Sequence, residues 1–375
     1  MKRENNLDFL RVLACILVIS IHVSAFFVTK FVEEPNLKFT IGNFYDSFSR
    51  IAVPIFVLLS GRFALSDEKN INIKFYYKKI FFKIIIPTLI WSFLYFLYNY
   101  ILEIAYYILY GELKHSLYSP IKAWIVGAPF YHLWYLYMSI GLYLAVPFLI
   151  KIKNKVGENN FFKIGIIFFI LGLFIFLFEI FLNYINFYER NDIFKYLKYF
   201  WYFNQFKFIN FLGYFILGYS LKNIKNKYIN FKNMFFSAIL INFFLFLTVE
   251  YFTINKIITN PLIFYDNNFI FVMIISILIY LAFDKLDSQK VKFDFSNLAF
   301  HSFNIYLIHA GLLLAITTCL EKILNYEPNP IWYIPFMIFF IFISSYSLSL
   351  FIKKLKSLFF NKRISLLSKF YSKIF

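Results

Sequence analysis

The sequence predicts an all-α, polytopic membrane protein with about ten transmembrane helices and both termini in the cytoplasm. The first observation is composition, because 61% of the 375 residues are hydrophobic and only 15% are charged, unlike a soluble domain. The second is that many apolar stretches reach the roughly 20 residues that a helix needs to cross a bilayer. The third is the weak alternating periodicity of these stretches, which argues against a transmembrane β-barrel.

The predicted spans follow one another, and no soluble domain and no low-complexity linker interrupts them. They lie near residues 7–29, 48–65, 80–102, 131–150, 162–184, 207–221, 234–254, 268–283, 301–320 and 331–352. The second and sixth spans are short and carry Gly and Ser, a pattern typical of helices buried among neighbouring helices. We therefore predict one transmembrane domain over residues 1–352, followed by a basic cytoplasmic tail over residues 353–375.

The positive charge is distributed unevenly between alternate loops. The formal net charge is +18, with 25 Lys and Arg residues on the side that holds both termini and 11 on the other. Cytoplasmic loops of membrane proteins carry the excess of Lys and Arg, so the basic side is predicted to be cytoplasmic. The charge then reflects topology and contact with anionic lipids, and we expect no nucleic-acid partner.

Several familiar sites are absent from the sequence. It contains no phosphate-binding loop of the GxxxxGK[ST] type, no HExxH and no GxSxG motif. The two cysteines, Cys15 and Cys319, fall in apolar segments and are predicted to be small, buried apolar residues. We expect neither a disulfide nor a metal site.

The first span carries ionisable residues at three depths. Asp8, Arg11 and His22 lie on nearly one helical face, and the last two are about 16 Å apart along the axis. Cys15 and Val18 lie between them and are expected to leave room for a slender ligand. An ionisable residue at membrane depth suggests function, but a neutral hydrogen-bonded histidine and a snorkelling arginine also fit.

Polar residues near the cytoplasmic ends of the next two spans form a second candidate group. Ser60 lies in the second span beside a glycine that permits close helix packing, and Arg62 is expected to snorkel towards water. Lys79 and Lys83 lie at helical spacing where the third span begins. Positive-inside topology explains both lysines, and phosphate binding is the sharper hypothesis.

Histidines near two other spans complete the candidates. His132, Trp134 and Tyr135 begin the fourth span near the outer face, where an aromatic belt is expected. Tyr306 and His309 lie inside the ninth span, where a hydrogen-bonded packing role is the simpler interpretation for the histidine.

These motifs, in this order, resemble the acyltransferase 3 family of bacterial membrane proteins over nearly the whole chain. The stretches that carry the resemblance are Leu7–Arg11 followed by His22, VPIFVLLSG at 53–61, HLWYLY at 132–137, FLGYFILGYSL at 211–221 and SFNIYLIH at 302–309. Many relatives have an Arg-x-x-Arg pattern at the start of the third helix, whereas this chain has Lys79 and Lys83 with a spacing of four.

The resemblance implies an acyltransferase, most often an O-acetyltransferase, in the bacterial inner membrane. It implies His22 as the catalytic histidine and Arg11 as its motif partner. From helical spacing, Asp8 lies one turn before Arg11, where we expect it to pair with the guanidinium and orient it. Acyl-CoA would be the donor substrate rather than a permanent cofactor, and a cell-envelope glycan or lipid-linked sugar would be the acceptor. Arg11, Lys79 and Lys83 are then candidate donor contacts.

The same resemblance leaves several acceptor assignments open. His132, Trp134 and Tyr135 are candidate acceptor contacts, and Ser60, Tyr306 and His309 are further candidates. The alternative function is a transporter or flippase of a lipid-linked sugar, because a buried Arg and His also suit a proton-coupled pathway. Whether the acyl group is acetyl, whether transfer is to oxygen or nitrogen, and the oligomeric state stay open.

Overall fold

The computed structural model describes residues 4–111, 119–184, 206–224, 228–320 and 328–371, and within them it contains helices and no strand. The α-helices in chain order are α1 (Asn5–Phe31), α2 (Leu37–Ser49), α3 (Ala52–Ser66), α4 (Ile73–Ile80), α5 (Ile86–Tyr110), α6 (Ser119–Ile125), α7 (Trp134–Val156), α8 (Glu158–Tyr184), α9 (Phe208–Ser220), α10 (Phe231–Ile254), α11 (Ile270–Lys285), α12 (Ser296–Thr318) and α13 (Pro330–Tyr371). A π-helical turn, Phe81–Ile85, joins α4 to α5.

The helices confirm the predicted all-α membrane fold. Nine helical segments among the described residues are long and apolar enough to cross a membrane, and α9 is a further apolar helix of 13 residues. Each of the ten predicted spans corresponds to a different one of these ten helical segments. The second span begins earlier than predicted, because α2 and α3 form one candidate segment over Leu37–Ser66. Helix α2 was not predicted because it contains polar residues such as Asn43 and Asp46, and both are buried in the structure.

The chain divides into two compact units, and the first comprises Met1–Asp46 and Val291–Phe375. In it α1 packs against α12 and α13, and α12 packs against α13. Asn5 fastens the start of α1, because its side-chain amide donates to the carbonyl oxygens of Val291 (3.1 Å) and Phe293 (2.8 Å). The predicted tail begins inside α13, which continues past residue 352 to Tyr371, and residues 372–375 lie outside the described part.

The second unit, Ser47–Lys290, is built around the short helix α9. Every residue from Phe211 to Ser220 is buried, and α9 packs against both α3 and α8. Two glycines allow the close approach of α3 and α9. A Cβ atom on Gly61 would collide with the backbone carbonyl of Phe215, and one on Gly218 would collide with that of Leu58. The close helix approach that the sequence predicted at Gly61 is therefore present between α3 and α9.

Candidate active site

The ionisable residues of the first span lie on one helix, as their spacing predicts. α1 is continuous from Asn5 to Phe31, so Arg11 and His22 are about 16 Å apart along its axis. The Asp8 carboxylate lies 3.9 Å from the Arg11 guanidinium, one turn away. The Asp8 side chain is buried, whereas Arg11 and His22 are partly accessible. Asp8 is therefore placed to orient Arg11.

The helix surface between Arg11 and His22 is packed more closely than the sequence suggested. Cys15 and Val18 are buried, and the Cys15 thiol lies 3.8 Å from the backbone carbonyl of Ser302 in α12. The prediction of a buried cysteine is thus confirmed for Cys15, whereas it is wrong for Cys319, which is exposed. The space that we expected beside these two side chains is therefore filled. A ligand that passes from Arg11 to His22 would have to follow the accessible flank of α1.

His22 lies against a second histidine from α12. The imidazole rings of His22 and His309 are stacked, with their centroids 5.4 Å apart and their planes 26° from parallel. The Tyr306 ring also lies 5.6 Å from the His309 ring. The first unit thus brings His22 together with Tyr306 and His309, two sequence candidates that lie more than 280 residues later in the chain.

A backbone hydrogen bond fixes the orientation of the second histidine. Nδ1 of His309 lies 2.6 Å from the carbonyl oxygen of Tyr306, one turn earlier on α12. A carbonyl oxygen only accepts hydrogen bonds, so Nδ1 carries the proton and Nε2 has the lone pair in the neutral ring. His309 is completely buried and Tyr306 is buried beside it. The fully packed His309 ring therefore gives His22 a rigid neighbour.

The arrangement supports proton transfer at the accessible member of the pair. An imidazole can accept a proton from a hydroxyl group when the two lie within hydrogen-bonding distance. His22 is partly accessible, whereas His309 is enclosed, so His22 is the ring that a substrate can reach. In the part of the chain that the structure describes, no three His, Cys, Asp or Glu side chains are grouped to hold a metal ion.

The candidates at the predicted cytoplasmic ends of α3 and α5 lie in the second unit. Lys79 donates to the Asn70 side chain (3.1 Å) and lies 3.9 Å from the Asp67 carboxylate. Lys83 is exposed and belongs to the π-helical turn Phe81–Ile85, and π-helical turns are frequent at functional sites. Ser60 accepts a hydrogen bond from the Tyr143 hydroxyl at 3.1 Å.

Arg62 does not snorkel to water, so that expectation was wrong. Its guanidinium is 2.6 Å from the Asp284 carboxylate in α11 and donates to the Tyr280 hydroxyl at 3.1 Å. Arg62 is 9% exposed and the Asp284 side chain only 4%. A carboxylate more than 200 residues away thus allows this cation to stay buried, and no local sequence pattern indicates the pairing.

The three acceptor candidates differ in accessibility within the second unit. His132 is buried in an aromatic cluster, with its ring centroid 5.1 Å from that of Tyr95 and 5.6 Å from that of Phe130. Trp134 and Tyr135 are partly accessible at the start of α7. Their exposure makes these two aromatic residues better placed than His132 to meet a ligand from solution.

Sequence reasoning missed a charged cluster near the ends of α3, α7 and α9. The ammonium group of Lys153, a buried residue, lies 2.5 Å from the Glu68 carboxylate and 4.6 Å from the Tyr219 ring centroid. Lys222 lies 3.9 Å from the same ring centroid and donates to the Ser66 hydroxyl at 2.8 Å. The hydrogen bond from Lys153 lowers the pKa of Glu68 below its ordinary value. These lysines were counted in the sequence only as a topology signal.

Comparisons with known proteins support the family resemblance. A family model described as an acyltransferase domain matches residues 4–350, which is nearly the whole chain. No curated protein and no solved structure matches the chain.

Proposed function

This chain belongs to the acyltransferase 3 family, and we propose that it moves an acyl group, most simply acetyl, from cytoplasmic acyl-CoA to a hydroxyl group of a cell-envelope carbohydrate. The protein is a multi-pass membrane acyltransferase, and the bacterial cytoplasmic membrane is the location that this reaction would require. The observation that carries the proposal is the stacked pair of His22 and His309 within the first unit.

The donor would be held by cations at the predicted cytoplasmic side. Arg11 can form paired hydrogen bonds with a phosphate, and the carboxylate of Asp8 at 3.9 Å orients its guanidinium. Lys83 is exposed and Lys79 is partly accessible, so both can contribute positive charge towards phosphate groups of acyl-CoA. The donor is a substrate that enters and leaves, and no permanently bound cofactor is required.

The transfer step uses His22 as the general base. Its imidazole accepts the proton of the acceptor hydroxyl while the hydroxyl oxygen attacks the thioester carbonyl carbon. The new C–O bond forms, the C–S bond breaks, and the leaving thiolate takes a proton to give free CoA. His309 does not touch the substrate in this scheme but holds the His22 ring by stacking, and its own orientation is fixed by the Tyr306 carbonyl.

The acceptor would approach from the predicted outer side. Trp134 and Tyr135 are partly accessible there, and an aromatic ring suits the C–H face of a sugar. The envelope carbohydrate would present a hydroxyl group, which is the nucleophile that a histidine base can activate.

The test is transfer by the purified full-length protein in detergent. Acetyl-CoA labelled in the acetyl group is the donor, and envelope material from a strain lacking the gene is the acceptor. We expect label to enter the carbohydrate fraction and to be released by mild alkali as acetate. A transporter would produce no transfer in detergent, where no gradient exists. Absence of transfer from acetyl-, propionyl- and succinyl-CoA would refute the proposed function.

A further inference from the structure

The predicted cytoplasmic end of the first unit carries a short stack of aromatic rings that the mechanism does not use. Phe9, near the start of α1, stacks on Phe295, with ring centroids 4.5 Å apart and planes 16° from parallel. Phe293 contacts Phe295 edge to face, with centroids 4.8 Å apart and planes at 68°. We call these three residues the aromatic stack. None of them was a candidate site residue in the sequence.

The outermost ring of the aromatic stack is open to solvent. Phe9 and Phe295 are partly covered, whereas Phe293 is 60% exposed. An edge-to-face contact engages at most one face of a ring, so a flat face of Phe293 stays available to a ligand. Phe293 also precedes the candidate membrane span of α12 and lies between Lys292 and Asp294 in the sequence. Because charged residues are costly in hydrocarbon, this ring is placed at the aqueous boundary rather than among lipid tails.

Hydrogen bonds fix the backbone on which Phe293 lies. The Asn5 side chain of α1 donates to the carbonyl oxygen of Phe293 at 2.8 Å and accepts the N–H of Phe295 at 2.9 Å. The Asp294 carboxylate accepts the N–H and the hydroxyl group of Ser296, both at 2.9 Å, so it points to the start of α12. A residue that is already fixed loses little conformational entropy when a ligand binds. Phe293 is therefore a preorganised contact.

Two cations belong to the same end of the first unit. Lys292 is exposed and forms no ion pair with another described residue. Arg11, the proposed phosphate contact, follows Phe9 by two residues on α1, so the two lie about 3 Å apart along the helix axis. Their side chains lie on different sides of a helix whose full diameter is about 10–12 Å. One nucleotide can span this separation, because a single ribose joins its base to its phosphates.

From this arrangement we infer that Phe293 and Lys292 form a subsite for the adenosine 3′-phosphate end of acyl-CoA. This inference rests on the proposed function, in which acyl-CoA is the donor and Arg11 binds its phosphates. Phe293 stacks on the adenine ring, as aromatic side chains do on nucleic-acid bases. Lys292 supplies a point charge to the 3′-phosphate. The arm that carries the thioester then extends from Arg11 along α1 towards His22.

The decisive comparison uses donors that lack parts of CoA. Acetyl-4′-phosphopantetheine lacks the adenosine and its 3′-phosphate, whereas acetyl-dephospho-CoA lacks the 3′-phosphate alone. We expect Phe293→Ala to raise the apparent KM for acetyl-CoA about tenfold and to leave that for acetyl-4′-phosphopantetheine within about twofold of wild type. Lys292→Gln should raise the KM for acetyl-CoA about threefold and leave that for acetyl-dephospho-CoA unchanged. In both variants kcat should stay within about twofold of wild type, because only binding is weakened.

Matched variants separate stacking from contact with lipid. Phe293→Trp keeps an aromatic face and should keep the KM for acetyl-CoA within about threefold of wild type. Phe293→Leu keeps only apolar volume and should behave like Phe293→Ala. A ring that only anchors the protein in lipid would tolerate leucine, so a wild-type KM in Phe293→Leu would contradict the subsite. Phe300→Ala is the control and should leave the KM unchanged, because Phe300 is 64% exposed but lies inside the candidate span of α12.

The outcomes separate the subsite from the proposed function. If wild type transfers acetyl groups but Phe293→Ala keeps the wild-type KM for acetyl-CoA, or raises the KM of both donors equally, the subsite is refuted and the proposed function survives. A second measurement needs no transfer: calorimetric titration of the purified full-length protein with adenosine 3′,5′-bisphosphate. The affinity should fall about tenfold for Phe293→Ala. Equal affinity of variant and wild type, or no binding by wild type, would contradict the inference.

Discussion

The buried ion pair of Arg62 and Asp284 gives the sharpest stability prediction. Nη1 of Arg62 lies 2.6 Å from Oδ1 of Asp284, and both side chains are at least nine-tenths buried. Asp284→Asn removes the negative charge and leaves the buried guanidinium without its carboxylate. Breaking a buried pair from one side costs about 3–5 kcal/mol, so we expect the free energy of unfolding to fall by about that amount.

The assay is unfolding of the purified protein in mixed detergent micelles with increasing dodecyl sulfate, followed by circular dichroism. Asp287→Asn is the matched control, because Asp287 is exposed and its Oδ1 accepts from the Gln289 N–H, which asparagine can also do. The control should change the free energy of unfolding by less than about 0.5 kcal/mol. A double variant, Arg62→Leu with Asp284→Leu, should be more stable than Asp284→Asn, because the buried guanidinium is removed together with its carboxylate. Lys285, which lies 2.8 Å from Asp284, loses its carboxylate in both variants. Equal stability of Asp284→Asn and Asp287→Asn would refute this reasoning.

Three further predictions follow from other contacts. His309→Ala should lower kcat about tenfold to a hundredfold with little change in the acetyl-CoA KM, because the stacked neighbour of His22 is lost; an unchanged kcat in a folded variant would exclude this positioning role. The hydrogen bond from Lys153 lowers the pKa of Glu68 below its ordinary value of 4.5. This hydrogen bond therefore stabilises the protein above pH 4.5, and the stabilisation is lost as the pH falls through the lowered pKa of folded Glu68. Wild type should therefore lose more stability than Glu68→Gln when melting temperatures are compared between about pH 6 and pH 3, and parallel losses would contradict the assignment. Gly218→Ala should lower the free energy of unfolding by about 1–3 kcal/mol, because its methyl group would meet the Leu58 carbonyl; a neutral effect would show that α3 and α9 can separate.

Much of the fold could be predicted from the sequence because lipid imposes a simple rule. A spanning segment must be apolar and must satisfy its own backbone hydrogen bonds, so hydrophobic length alone located all ten spans. The start of the second span was not predicted, because a helix that is covered by protein rather than by lipid need not be apolar throughout. Helix α2 carries Asn43 and Asp46, and both are buried by protein. Polar residues that face neighbouring helices make such a segment look like a loop.

The candidate site was only partly predictable because spacing describes one helix at a time. The alignment of Asp8, Arg11 and His22 follows from helical geometry, and α1 has that geometry. The stacking of His22 on His309 depends on how α1 packs against α12, which no local pattern specifies. The weak signal was the position of His309 deep inside an apolar span, where an ionisable residue needs a structural or functional reason.

Ion pairs between distant segments could not be predicted either, because no local pattern specifies a tertiary contact. Arg62 was expected to reach water because its partner is a single carboxylate far along the chain, near the end of α11. Lys153 was counted as a loop cation, yet it is buried against Glu68 and the Tyr219 ring. In both cases the burial of the cation depends on a tertiary contact. A count of Lys and Arg residues in the loops predicts only on which side of the membrane each loop lies.

The most direct test of the account is the initial rate of acyl transfer by His22→Ala, measured in detergent with labelled acetyl-CoA and envelope acceptor. Loss of a general base predicts a rate about 10²- to 10⁴-fold below wild type, in a variant that unfolds at a similar temperature. His301→Asn, which changes another buried histidine on α12 that bonds to Ser349 instead, should stay within about threefold of wild type. A folded His22→Ala protein that transfers acetyl groups at the wild-type rate would contradict the central claim.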